Sequence, residues 1–106
     1  YVDENGAAIK IPADLSQDMI KKVQKTSIDA FKALSCEGMA RVDSFVTKDE
    51  KIYVNELNTI PGFTNISMYP KMWEASGLSY QDLIDELIKL AIARFERDQK
   101  LKILKD

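Results

Sequence analysis

Apolar residues recur along this chain at alternate positions, then at helical spacing, then in two short runs around a charged turn. Ile9 and Ile11 flank the polar Lys10 ahead of Pro12, which predicts a short extended segment. Ser16 follows, a favoured N-cap, and after it Ile20, Val23, Ser27, Ala30, Phe31 and Leu34 fall on one helical stripe. Gly38 is the natural stop for that helix.

Two strand-like runs come next, over 39–47 and 52–58, joined by Lys48-Asp49-Glu50-Lys51, and they predict an antiparallel hairpin. Residues 59–69 read as a loop around Pro61 and Gly62, and 70–76 as a short helix ended by Gly77. Ser79 and Asp82 resemble a capping box. Beyond them Leu83, Ile84, Leu87, Ile88, Ala91, Ile92 and Phe95 form the stripe of a long final helix. The charge-dense stretch 94–106 reads as a solvated, fraying tail, and the opening residues 1–8 carry a turn at Asp3-Glu4-Asn5-Gly6. The expected class is α/β or α+β: one partial domain over 1–106, a hairpin flanked by helices.

Composition narrows the chemistry. The 106 residues are 45% apolar, enough for one modest core and no second domain. The net charge of −2, with cations and anions interleaved, excludes the basic footprint of a nucleic-acid binder. No apolar run approaches the length of a membrane span. A lone Cys36 makes no internal disulfide, so a reducing compartment, the cytoplasm, is expected. With no histidine and one cysteine, a resident metal must be held by oxygen ligands, which selects magnesium, calcium or manganese.

The hairpin offers such ligands. With a symmetric turn, Thr47 lies opposite Ile52, Asp43 then faces Glu56, and Arg41 faces Asn58. Alternation puts all four side chains on one side of the hairpin. Facing carboxylates repel unless a positive charge lies between them, and two carboxylates with an amide oxygen form a hard donor set suited to magnesium. Arg41 beside them can grip a phosphate oxygen. The same spacing also describes a solvated, charge-decorated hairpin. Likewise, Pro61-Gly62-Phe63-Thr64 followed by Ser67 is either a plain turn or a loop whose glycine lets backbone approach a ligand.

The run Gly38-Met39-Ala40-Arg41-Val42-Asp43, then Asn55-Glu56-Leu57-Asn58-Thr59-Ile60-Pro61-Gly62-Phe63-Thr64 and Ser67-Met68-Tyr69-Pro70, resembles the D-alanine:D-alanine ligases of the ATP-grasp class. Weaker similarity extends through Trp73-Glu74-Ala75-Ser76-Gly77-Leu78 and includes Ile11-Pro12-Ala13-Asp14-Leu15. The fold implied is the carboxy-terminal portion of an ATP-grasp domain.

The resemblance implies a ligase in which ATP phosphorylates the carboxylate of one D-alanine and the amine of a second attacks it, giving the dipeptide used in cell-wall synthesis. It implies that Asp43, Glu56 and Asn58 bind two magnesium ions, or manganese in their place, with Glu56 bridging them, and that Asn55 and Glu56 contact the nucleotide. Arg41 would stabilise the transferring phosphate, the Gly62 backbone would hold the oxyanion, and Ser67 with the Met68 amide would bind the second D-alanine's carboxylate. Tyr1 would end the family's mobile active-site loop.

Ligases making D-alanine-D-lactate or D-alanine-D-serine share these motifs. Met68, where some resistance-type relatives carry arginine, favours D-alanine. A non-catalytic interaction module and a biotin carboxylase-like or carbamoyl phosphate synthetase-like parent are the remaining alternatives. The family's amino-terminal and central parts are missing from this sequence. They are the expected partner within a homodimeric parent, and the chain by itself is expected to be inactive.

Overall fold

The computed structural model describes residues 9–105. The expected turn near Asn5 and the placement of Tyr1 lie outside the described residues. The architecture is a helix, a two-stranded antiparallel hairpin and two further helices, in the order α1 (Gln17–Ala33), β1 (Arg41–Val46), β2 (Ile52–Asn58), α2 (Met68–Ala75) and α3 (Tyr80–Lys105). Among the described residues, the segment at Ile9 and Ile11, expected to be extended, joins no ladder, and Pro12 has no N–H to donate to one.

Helix α1 starts as predicted, with Ser16 Oγ accepting the Met19 N–H at 3.2 Å and Asp18 in the positive first turn. Its stripe from Ile20 to Phe31 is half-buried, although the helix's one buried residue is Met19 and Leu34 is exposed. The helix ends at Ala33 rather than running on to Gly38. Ser35 takes the left-handed conformation at φ +55°, and its N–H and that of Cys36 cap the carbonyls of Lys32 and Phe31. Gly38, at φ +81°, instead turns the chain into β1.

The hairpin departs from the expected register at its turn and agrees with it at the site. Thr47 pairs with Lys51, its N–H donating to the Lys51 carbonyl at 2.9 Å, and Val46 lies opposite Ile52. Ser44 faces Val54, yet Asp43 faces Glu56, so Asn55 is an unpaired bulge residue. Val42 and Leu57, partners beyond the bulge, are both half-buried. A uniform ladder from the turn would set Glu56 opposite Val42, so burial of this apolar pair favours the bulged register.

Helix α2 begins at Met68, two residues before the expected start, and Pro70 fits inside its first turn, where no N–H is needed. Gly77 follows its C-cap at φ +99°. Ser79 Oγ accepts the Asp82 N–H at 3.2 Å and opens α3. Residues 94–103 are exposed, as predicted, but the stretch is helical to Lys105 rather than frayed. Arg94 and Arg97 reach across to Glu37 at 3.1 and 2.6 Å and tie it to the α1–β1 connection. The Arg97 hydrogen bond is the main cause of a Glu37 carboxyl held below the ordinary range.

Helix α1 packs on the hairpin and α2 on α3. The buried apolar core is thin: Met19, Tyr69 and Leu83. The radius of gyration is 16.5 Å, against about 13 Å for a compact chain of this length. Much apolar surface is left open, with Ile60 84%, Phe45 63% and Phe95 64% exposed.

Candidate active site

Strand alternation and the bulge bring Arg41, Asp43, Glu56 and Asn58 together as two facing cross-strand pairs. The positive charge between the facing carboxylates is Arg41 itself. Its guanidinium donates to both Asp43 oxygens, at 2.9 and 3.1 Å, and lies 3.9 Å from Glu56 Oε1. That bidentate bond is the main reason the Asp43 carboxyl lies below its usual range; partial burial opposes it. The same pairing raises Arg41. Asn58 Oδ1 accepts the Ile60 N–H at 3.0 Å and so shapes the start of the following loop.

Among the described residues, no three of His, Cys, Asp and Glu converge on one point. The donors therefore do not form an all-protein cage. They do fit magnesium, which takes one or two carboxylates and completes its shell with water and phosphate oxygens. Each carbonyl or carboxylate oxygen engaged here retains a second lone pair for a cation.

The loop over 59–67 delivers the remaining residues. Pro61 is buried. A Cβ at Gly62 would lie 3.1 Å from Ser67 Oγ, so the glycine allows a close approach between the two. Ser67 Oγ accepts the Thr64 N–H at 3.0 Å and lies 2.8 Å from Thr64 Oγ1. Ser67 is the N-cap of α2 and Met68 its first residue, so the Met68 amide lies at the positive end of a helix, where carboxylates are favoured. Asn55, at the bulge, is exposed beside Glu56.

Sequence reasoning missed the groups that hold this loop. Tyr80 donates its hydroxyl to the Phe63 carbonyl at 3.0 Å, and the Phe63 ring stands 5.5 Å from that of Tyr80 and 5.9 Å from that of Tyr69. The contacts are tertiary, and no local pattern announces them. A separate cleft of about 660 Å³, floored by Leu87, Leu90 and Phe95 and rimmed by Glu37, Arg94 and Arg97, includes none of the predicted site residues.

The profile described as "D-ala D-ala ligase C-terminus" matches residues 1–89. The chain belongs to this family. A D-alanine--D-alanine ligase of Shouchella clausii is 60% identical over 102 residues, 96% of this chain and 28% of that protein. One of Coxiella burnetii is 60% identical over 101 residues, 95% of this chain and 27% of the relative. The chain thus spans little more than a quarter of the length of these relatives.

Solved structures agree with the family's fold. The Coxiella burnetii D-alanine-D-alanine ligase superposes with a TM-score of 0.89 at 58% identity, over 92% of this chain and 28% of that one. The VanG D-Ala:D-Ser ligase of Enterococcus faecalis gives 0.76 at 43%, over 78% and 24%. A Bacillus anthracis D-alanine--D-alanine ligase complexed with ATP gives 0.72 at 35%, over 80% and 30%. Among the described residues no helix is long and apolar enough to cross a membrane.

Proposed function

We propose that this chain is one partial domain, the carboxy-terminal part of an ATP-dependent ligase that joins two D-alanines through an acyl phosphate for peptidoglycan synthesis. The observation that carries this reading is the facing pair Asp43 and Glu56 with Arg41 between them, on the residues that match the family. The remainder of the enzyme supplies the adenine site and the first-substrate pocket, and the whole works as a cytoplasmic homodimer. Cys36, the single cysteine, accords with a reducing compartment.

Asp43, Glu56 and Asn58 would hold magnesium, or manganese in its place, with Glu56 shared between two ions and Asn55 beside it at the nucleotide. Held there, magnesium would supply neutralisation of the phosphate charge. Arg41, already oriented on the same face, donates to the transferring phosphate. The Gly62 backbone faces the developing oxyanion, and Ser67 Oγ with the Met68 N–H receives the carboxylate of the second D-alanine.

The test is a product assay on the full-length enzyme carrying this chain, with ATP, magnesium and D-alanine, D-serine or D-lactate as acceptor. D-alanyl-D-alanine as the dominant product, with stoichiometric phosphate release, is expected. A preference for D-serine or D-lactate would reassign the acceptor, and no ATP-dependent product with any of them would reject the ligase reading.

A further inference from the structure

Tyr80 opens α3, and its hydroxyl reaches back across the fold to the Phe63 carbonyl at 3.0 Å. That carbonyl and the Thr64 N–H belong to one planar peptide unit. The N–H of the same unit donates to Ser67 Oγ at 3.0 Å. A single rigid plane is therefore pinned at its oxygen by α3 and at its nitrogen by Ser67.

The ring contacts cannot do the same work. Phe63 stands against Tyr80 at 5.5 Å and Tyr69 at 5.9 Å, and these contacts fix where the Phe63 side chain sits. They leave the adjoining peptide free to rotate about its flanking bonds. The hydroxyl holds that rotation from the carbonyl side, and rotation would carry the Thr64 N–H off Ser67. The gap at stake is narrow, since Ser67 Oγ is 3.1 Å from the place a Cβ would take at Gly62. Hydrogen bonds in series through one amide also polarise one another, so the Tyr80 donor strengthens the Thr64 N–H as a donor to Ser67.

We propose that Tyr80 is a positioning residue for the acceptor subsite: its hydroxyl locks the peptide between Phe63 and Thr64 and thereby aims the Ser67 hydroxyl at the acceptor's carboxylate. This rests on the assignment of Ser67 and Met68 to that carboxylate. Tyr80 itself touches no substrate.

The experiment is steady-state kinetics on the full-length enzyme with Tyr80→Phe, Ser67→Ala and the double variant, varying ATP and D-alanine separately. Tyr80→Phe keeps the ring and removes one neutral hydrogen bond. It should raise KM for the second D-alanine about three- to tenfold, with kcat and KM for ATP within about twofold. Ser67→Ala should raise the same KM by more, because it removes a donor to a charged group. Adding Tyr80→Phe to Ser67→Ala should change it by less than about twofold, since the hydroxyl acts through Ser67.

An unchanged acceptor KM in Tyr80→Phe, beside a raised one in Ser67→Ala, would overturn the Tyr80 proposal and leave the acceptor assignment standing. An unchanged KM in Ser67→Ala would overturn both. Equal rises for ATP and D-alanine in Tyr80→Phe, or full additivity in the double variant, would mark a general structural role and overturn the proposal.

Discussion

Arg41 spans both carboxylate oxygens of Asp43, at 2.9 and 3.1 Å, and so serves as the internal counter-ion of the acidic pair. A divalent cation approaching Asp43 competes with a bidentate, charge-assisted partner already in place. Magnesium alone also parts reluctantly with its waters. The isolated chain is therefore expected to bind manganese, followed by electron paramagnetic resonance, no more tightly than about millimolar without nucleotide. It should show no phosphate release with Mg-ATP and D-alanine. Micromolar ATP binding by this chain alone, read by calorimetry, would mean that its nucleotide site is self-contained.

Removing the charge of Glu56 tests the other half of the pair. Glu56→Gln in the full-length enzyme keeps size and hydrogen-bonding capacity while halving the local negative charge. Phosphoryl transfer then loses several kcal/mol of stabilisation, so the rate should fall at least a hundredfold, with circular dichroism unchanged. A phosphate-release rate within tenfold of the parent at saturating magnesium would rule out Glu56 as a bridging ligand.

Much of this site could be read from the residues, and the limits of that reading are physical. Alternation and facing positions locate Asp43, Glu56, Arg41 and Asn58 even though the turn pairs Val46, not Thr47, with Ile52, because the bulge at Asn55 offsets that one-residue difference. The caps at Ser16 and Ser79 were visible because capping is local chemistry. The end of α1 was not, since a serine took the left-handed position where glycine is the usual signal. Tyr80 and the bond from Arg97 to Glu37 join residues far apart in sequence, and no periodicity encodes them.

The end of α1 gives a stability prediction. Ser35 sits at φ +55°, which costs an L side chain roughly 1 kcal/mol and glycine almost nothing. Ser35→Gly should stabilise this helix end by about 0.5–1 kcal/mol. Slower amide hydrogen exchange in the last turn of α1, measured by mass spectrometry on the full-length enzyme, is the expected sign. Faster exchange there would show that the serine side chain has a stabilising partner.

Glu37 predicts a pH dependence. Its carboxyl is held below the ordinary 4.5, first by the Arg97 hydrogen bond and further by the charges of Arg97 and Arg94. A depressed folded value means that the tie between loop and α3 is fully present above the unfolded value and is lost as pH falls through the folded one. Protection of the Cys36 and Met39 amides, after correction for intrinsic exchange, should therefore hold down to about pH 4.5 and drop below it. Glu37→Gln should remove that step, and high salt should blunt it. A pH-independent protection in the unsubstituted protein would contradict the tie.

The unpaired Asn55 also bears on how such sites are found in other chains. Counted evenly from the turn, this hairpin would set Asp43 against an asparagine and send Glu56 to the opposite face; a single residue left out of the ladder decides between the two outcomes. An aspartate and a glutamate at this separation are therefore no fingerprint by themselves, because the parity of the intervening stretch is ambiguous. The half-buried neighbours Val42 and Leu57 resolve it, since only one parity lets both face inward. A search for this acidic pair gains its discrimination from two apolar residues that never touch a metal.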